Sequence, residues 1–277
     1  MRVFSLIQIW LQRFSCLIIL FSASYSFGAE NQVSYSSNLE VTETLTVVRG
    51  IGNYPPLEMV KDGQLTGLHI DMIKHAAHQL GIEIEFISLP WTRAIKEFSA
   101  GNVDAISYLG YTPERSEIAY YHDDNVLSDT KWVFLALEER AHEFKYDRTL
   151  SGLENSVIGV QKGYSHGKYF DSMKHLKRDV VTHEFDIETM LKEKRHDLAM
   201  MSYQEFLGFK ERGDFKGIVA LFPEIDSDPQ YIVFSRAQDE SGRLKRISQL
   251  FADQMRLFKS SRDYDVLLKS YDFYRYQ

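Results

Sequence analysis

Apolar residues recur along the chain in two alternating patterns, short β-branched runs and stretches with helical spacing. The run LTVVRG at 45–50 predicts a buried strand that ends at a glycine. Residues 69–80 carry apolar side chains three and four positions apart and are followed by a glycine, which indicates an amphipathic helix. The segments 82–89 and 104–109 predict two further strands, and the stretch after Pro90 predicts the helix between them. This alternation with short connections indicates an α/β lobe with a largely parallel sheet.

The same alternation continues in the second half of the chain and predicts a second α/β lobe. Short apolar runs predict strands, and the amphipathic stretches between them predict helices. The predicted strands lie at 156–160, 180–185, 197–201 and 217–222, and the predicted helices at 166–175, 186–194 and 203–211.

Two mostly apolar segments, KWVFLAL at 131–137 and QYIVFSR at 230–236, flank this second lobe. Their composition is typical of buried strands, and we interpret them as two crossovers that act as hinges between the lobes. Two further helices would then pack back on the first lobe. The predicted ranges are 44–132 plus 235–277 for lobe 1, 133–234 for lobe 2, and 240–258 and 262–275 for the closing helices.

The N-terminal segment has the pattern of a secretory signal peptide, predicted at residues 1–28. Arg2 and Arg13 provide basic charge without any acid, and the apolar core at 14–23 is too short to span a bilayer. An uncleaved anchor is the second interpretation. Residues 29–43 are polar and serine-rich, which indicates a flexible tether. The sequence therefore predicts export to the periplasm.

Charge and cysteine content exclude further classes of protein. Removing Arg2 and Arg13 leaves 30 basic against 39 acidic side chains, a net charge of −9. Nucleic-acid phosphates require a basic surface, so we expect no nucleic-acid partner. The only cysteine, Cys16, would leave with the signal peptide, and about 249 residues remain to bury a core without disulfides. We expect an exported, monomeric globular protein.

One arginine is placed where a ligand site is chemically plausible. Arg115 lies in GYTPERSEIAYYHD at 110–123, just after a predicted strand and between Glu114 and Glu117. A guanidinium offers two parallel N–H donors that match the two oxygens of a carboxylate. The sequence alone leaves two interpretations open, a solvated helix start and a carboxylate clamp.

Four blocks, in this order, resemble the bacterial extracellular solute-binding proteins of family 3, the periplasmic receptors associated with polar amino-acid uptake. These blocks are YPPLEMVKDGQLTGLHIDMIKHAAHQLG, PWTRAIKEFSAGNVDAIS, GYTPERSEIAYYHD and VIGVQKGYSHGKYF. The resemblance implies a type II periplasmic-binding-protein clamshell, in which two hinge crossovers join two α/β lobes. It also implies a receptor that captures a small carboxylate-bearing solute and delivers it to an ABC-type permease.

The resemblance assigns first-lobe ligand contacts residue by residue. Arg115, with Thr112 three residues before it, matches the arginine that grips the ligand carboxylate in the family. Tyr54 matches the aromatic residue that stacks on the ligand, and Trp91 and Tyr108 are candidates for the same wall. The alternative role for these aromatic side chains is core packing.

In the second lobe the resemblance implies that Gly163 and Ser165 meet the carboxylate at a helix start, where N–H groups favour anions. Tyr164 departs from the small hydroxyl residue usual there and is expected to crowd the pocket. Ser202 stands where the family places an aspartate for the α-ammonium group. A neutral hydroxyl cannot balance a buried ammonium, so Glu205 is the candidate substitute, or the ligand lacks the amino group or carries it elsewhere.

The remaining chemistry gives weaker alternatives. Asp71, His75 and His78 share a helix face, but a metal site of this type needs further ligands, so we expect no metal and no cofactor. A cyclohexadienyl-dehydratase-like enzyme on the same fold would need a positioned acid or base, for which Glu205 and His166 are candidates. A sensor that presents its closed form to a membrane signalling receptor is a third interpretation.

Overall fold

The computed structural model describes residues 43–147 and 149–276. The predicted signal peptide, and the predicted tether as far as residue 42, lie outside the described residues. All described residues belong to one compact unit, Tyr35–Gln277. Within them, no helix is long and apolar enough to cross a membrane.

Strands and helices alternate along the described chain. The strands are β1 (Glu43–Gly50), β2 (Met59–Lys61), β3 (Gln64–Thr66), β4 (Ile82–Leu89), β5 (Ala105–Gly110), β6 (Ala119–Tyr120), β7 (Val126–Leu137), β8 (Val157–Gln161), β9 (Lys177–Val181), β10 (Leu198–Ser202) and β11 (Ile218–Ser235). The helices are α1 (Leu68–Gln79), α2 (Trp91–Ser99), α3 (Pro113–Ile118), α4 (Lys168–Ser172), α5 (Glu184–Lys192), α6 (Tyr203–Glu211), α7 (Arg243–Lys259) and α8 (Arg262–Ser270). Short 3₁₀ turns lie at Asp123–Asn125, Glu138–Glu143 and Phe273–Tyr276.

One sheet runs through the described chain in the order β4-β1-β5-β11-β7-β10-β8-β9, and β6 pairs with β11 beside it. Strands β4, β1 and β5 are mutually parallel, and so are β10, β8 and β9. The two parallel blocks are joined through β11 and β7, which pair antiparallel with each other and with their neighbours. This arrangement confirms the predicted two-lobed α/β fold. We call the part built on β4, β1 and β5 the first lobe and the part built on β10, β8 and β9 the second lobe.

Both faces of the sheet are covered, which is why the strands are apolar on both sides. Along β1, Leu45 and Val47 pack into a cluster with α1, α7 and α8, whereas Val48 points to the opposite face and packs against α2. In β7, Phe134 joins one core cluster of the second lobe and Leu135 joins the cluster formed with α5 and α6. Alternate residues of one strand therefore contribute to separate cores.

Several predicted elements are wrong in their bounds; among the helices, the one predicted at 166–175 is only Lys168–Ser172 and the one predicted at 262–275 ends at Ser270. The strand predicted at 180–185 ends at Val181, and α5 begins at Glu184, because His183 and Asp186 form a capping box that starts a helix there. The runs at 217–222 and 230–236 belong to one long strand, β11, which stays paired with β7 across a register shift between Leu221 and Asp226. The lobe boundaries drawn from the sequence stay predictions, since β7 and β11 cross between the lobes.

Candidate functional site

A cavity lies between the two lobes, where parallel strands end and loops begin. Gly50 and Gly110 end β1 and β5, and Trp91 follows β4, so the first-lobe side of the cavity is built at carboxyl ends of parallel strands. This is the edge at which open α/β sheets generally bind ligands. The cavity is lined by Gly50, Tyr54, Glu58, Trp91, Tyr108, Gly110, Arg115, Thr130, Trp132, Tyr164, Ser165 and Gln230.

The cavity is small in this conformation. The space that the centre of a water molecule can occupy is about 20 Å³. A single buried water needs roughly 10–15 Å³ by this measure, so the space suits one or two waters. A larger solute can enter only if the lobes move apart.

Arg115 is held at the cavity by the start of α3. The hydroxyl of Thr112 accepts a hydrogen bond from the Arg115 backbone N–H at 3.1 Å, which caps the helix. The guanidinium donates to the carbonyl oxygen of Gly110 at 2.9 Å and, across the cleft, to that of Gly163 at 3.0 Å. Burial lowers the pKa of Arg115, while the negative charge of Asp171 opposes this shift. This arrangement presents a partly buried cation to the cavity.

The two lobes meet at Gly163 and Tyr164, in the loop after β8. The indole Nε1–H of Trp91 donates to the carbonyl oxygen of Gly163 at 3.1 Å, the same oxygen that Arg115 contacts. The hydroxyl groups of Tyr54 and Tyr164 lie 3.4 Å apart, and the Trp91 and Tyr164 rings lie 5.3 Å apart between centroids. Gly163 has φ +81°, which a residue with a side chain rarely adopts. We call the contacts of Arg115, Trp91 and Tyr54 with Gly163 and Tyr164 the cleft latch.

Tyr108 has an unusual backbone for a strand residue, with φ +59°. Its strand, β5, pairs with β11 through a register shift. Ile106 pairs with Val233 and Leu109 pairs with Tyr231, so β5 has one residue more than β11 between these two pairs. A β-bulge of this kind redirects a side chain and is common beside functional sites. The Tyr108 hydroxyl lies 3.0 Å from the hydroxyl of Thr130. Burial raises the pKa of Tyr108, and the charge of Glu205 raises it further.

A buried charge cluster that was not predicted from the sequence lies at the cavity wall. The side chains of Arg49 and Glu58 are 1% and 2% exposed, and Arg49 Nε donates to Glu58 Oε2 at 2.9 Å. His69 Nδ1 lies 3.7 Å from Glu58 Oε1, and His69 Nε2 lies 2.9 Å from the hydroxyl oxygen of Ser128. Burial alone would raise the pKa of Glu58, but the neighbouring His69 and the hydrogen-bonded, positively charged Arg49 outweigh it and lower the pKa to about 2. Glu58 is therefore a carboxylate at neutral pH.

A signal for this cluster was present in the sequence, because LTVVRG places a charged residue inside an apolar strand. A buried arginine requires an acidic partner. The sequence analysis also missed three cavity residues on the crossover strands, Thr130, Trp132 and Gln230, all of which are buried.

The predicted second-lobe contacts are distributed differently. Ser165 lines the cavity, but its hydroxyl donates to Asp171 at 2.8 Å, and α4 begins only at Lys168, so Ser165 lies in a loop and not at a helix start. Ser202 is fully buried and caps α6 by accepting the N–H of Glu205 at 3.4 Å. Ser202 and Glu205 are outside the cavity lining, although the Glu205 charge acts on Tyr108.

His166, the candidate acid or base of the enzyme alternative, is buried behind Ser165. Burial lowers its pKa to about 3, with further contributions from the positive charges of Arg178 and Arg115. The imidazole is therefore neutral at physiological pH. Among the described residues, no group of three or more histidine, cysteine or acidic side chains is arranged to hold a metal ion.

This two-lobed α/β fold with an arginine-bearing interlobe cavity defines a solute-binding class of protein. The sequence matches the family model of bacterial extracellular solute-binding proteins, family 3, over residues 47–198, which is more than half of the chain. The chain belongs to this family. A comparison with curated proteins returned no match.

Solved structures share the fold at low sequence identity. A substrate-binding protein of an amino acid ABC transporter from Streptococcus pneumoniae, bound to L-arginine, has a TM-score of 0.64 and 20% identity, covering 83% of this chain and 94% of that chain. A histidine kinase sensor domain has a TM-score of 0.66 and 15% identity, covering 82% of this chain and 95% of that chain. The ancestral amino acid-binding protein AncCDT-1, a precursor of cyclohexadienyl dehydratase, gives 0.64 and 19%, also covering 82% and 95%.

Proposed function

We propose that this protein is a periplasmic receptor that captures a small carboxylate-bearing solute, an amino acid or a related acid, and delivers it to an ABC-type permease. The observation that carries the proposal is the partly buried guanidinium of Arg115 at the interlobe cavity. A cation in a cleft favours an anionic ligand, and a carboxylate can accept a second N–H from each of the two outer guanidinium nitrogens. Family membership supports the solute-binding part of the proposal.

Ligand binding and lobe closure are coupled through Arg115 in this proposal. The cleft latch uses one guanidinium N–H and the Trp91 indole N–H on a single carbonyl oxygen. A ligand carboxylate at Arg115 would take over part of this bonding, while the aromatic side chains of Tyr54, Trp91 and Tyr164 enclose the rest of the ligand. Only contacts that differ between the open and closed states can shift that equilibrium.

The first experiment is a thermal-shift screen of the mature protein against amino acids, keto acids, dicarboxylates and aromatic acids, followed by calorimetric titration of each hit. A ligand that binds only the folded state raises the melting temperature. Arg115→Ala should abolish the shift, and Arg115→Lys should retain charge but lose most of the affinity with the bidentate contact.

Arg93→Ala is the matched control, because Arg93 is exposed on α2 of the same lobe and forms a surface ion pair with Glu97. Wild-type affinity in either Arg115 variant would contradict the carboxylate role of this residue. Chemical conversion of a hit would favour the enzyme alternative, and a signalling kinase recovered with the ligand-bound protein would favour the sensor alternative.

A further inference from the structure

The ion pair of Arg49 and Glu58 determines how much charge the cavity can accept. Glu58 lines the cavity, and one of its oxygens is bonded to Arg49 Nε. The two outer guanidinium nitrogens of Arg49 donate to Ser88 Oγ at 3.2 Å and to the carbonyl oxygen of Gly52 at 2.6 Å. Arg49 is thus fixed in place, and its positive charge cancels the negative charge of Glu58.

A buried charge must be balanced by a partner of opposite sign. Under the proposed function, Arg115 balances the carboxylate of the ligand. Glu205 is buried outside the cavity lining, but its charge acts on Tyr108 at the cavity wall, and in this charge balance it is assigned to one ligand ammonium group. Glu58 is already balanced by Arg49. A second cation on the ligand would therefore remain uncompensated next to Arg49.

We propose that Arg49 determines ligand specificity by excluding solutes that carry a second cationic group. The inference rests on the proposed function and narrows its ligand class to carboxylates with at most one ammonium group and an uncharged far end. It sets this chain apart from its structural neighbour that is bound to L-arginine. Arg49 acts through Glu58 and through the charge balance of the cavity, and it is not itself among the residues that line the cavity.

L-Arginine and L-citrulline are suitable probes, because they have nearly the same shape and differ in a charged guanidinium against a neutral urea. Calorimetric titration of the wild-type protein should show citrulline preferred by at least about tenfold, the ratio that 1.4 kcal/mol produces. Arg49→Met removes the cation paired with Glu58, so a ligand guanidinium can take its place, and arginine binding should increase by a similar factor. The double variant R49Q/E58Q is the matched control, since it changes both side chains but leaves the pair neutral, and it should show no gain.

Glu58→Gln tests the same charge balance in the opposite direction. It leaves the Arg49 charge uncompensated at the wall, so L-glutamate should bind at least about tenfold more tightly than to wild type. If circular dichroism shows that Arg49→Met does not fold, Glu58→Gln alone tests the proposed charge balance.

Equal binding of arginine and citrulline by the wild type would overturn the proposal. If the wild type binds neither probe, the variants decide: a gain of arginine by R49M, or of glutamate by E58Q, supports the proposal, and the absence of both overturns it. Failure of the proposed function gives a different result, because no carboxylate in the screen would then bind through Arg115.

Discussion

Replacing Glu58 by glutamine would remove one charge from a buried pair while keeping the size of the side chain. In the folded protein the pKa of Glu58 is lowered from 4.5 to about 2. Each pKa unit corresponds to 1.36 kcal/mol, so a difference of roughly 2.5 units contributes about 3 kcal/mol to stability at neutral pH. Breaking a buried ion pair by removing one partner typically costs about 3–5 kcal/mol, so two independent routes give a similar magnitude.

The pH dependence of this contribution has a definite sign. Because the folded-state pKa lies below the unfolded-state value, the stabilising contribution is fully present above pH 4.5 and is lost as the pH falls through about 2. The difference in unfolding free energy between wild type and Glu58→Gln should therefore be largest at pH 7. It should shrink by about 3 kcal/mol as Glu58 becomes protonated in both states of the wild-type protein.

Urea unfolding followed by circular dichroism at several pH values between 7 and 2 measures this difference directly. Glu97→Gln provides the control, because Glu97 forms a solvent-screened pair with Arg93 on the surface of α2, and such pairs contribute little to stability. A difference between wild type and Glu58→Gln that is small at pH 7, or that stays constant down to pH 2, would refute the charge-pair reasoning.

Four further outcomes are expected. Trp91→Phe removes one N–H from the cleft latch and should raise the radius of gyration in small-angle scattering, whereas unchanged scattering would exclude a role in closure. Burial and the charge of Asp226 raise the pKa of Asp228 from 3.8 to about 6, so its unfavourable charged form appears in the folded protein only as the pH rises. Asp228→Asn should therefore raise the melting temperature at pH 7 but not below about pH 4. Phe170→Ala should destabilise the protein by about 3–5 kcal/mol in urea unfolding, since Phe170 is fully buried. The ring resonances of His166 should show a neutral imidazole from pH 7 to pH 5, and titration near pH 6 would contradict its burial.

Local sequence patterns were sufficient for most of the fold. The strand predicted at 82–89 and the helix predicted at 203–211 have the observed bounds of β4 and α6. Apolar periodicity reports which residues face a core, and these elements pack by their periodic faces. The long strand β11 was divided in two, because Phe222–Pro223 interrupts the apolar pattern although pairing with β7 resumes beyond it.

The candidate site was less accessible to sequence reasoning. Tyr54, Trp91, Tyr108, Arg115 and Ser165 line the cavity, and they were found by resemblance to the family; their roles in binding stay predictions.

The missed residues depend on long-range pairing. Thr130 and Gln230 reach the cavity because β7 and β11 pair beside each other, and periodicity along a strand does not state which face meets a cleft. Predicting Glu58 would have required pairing Arg49 with an acidic residue nine positions later in the chain.

The position of β11 has a consequence for the order in which the chain can assemble. The first lobe cannot complete its sheet without the C-terminal half of β11, which follows β7 to β10 and the second-lobe half of β11 in the chain, and α7 and α8 come later still. When the chain is synthesised N-terminus first, the strands β7 to β10 can pair with one another while β5 still lacks its antiparallel neighbour, β11. The N-terminal lobe is therefore the last to close, in reverse of the usual order in which N-terminal domains fold first.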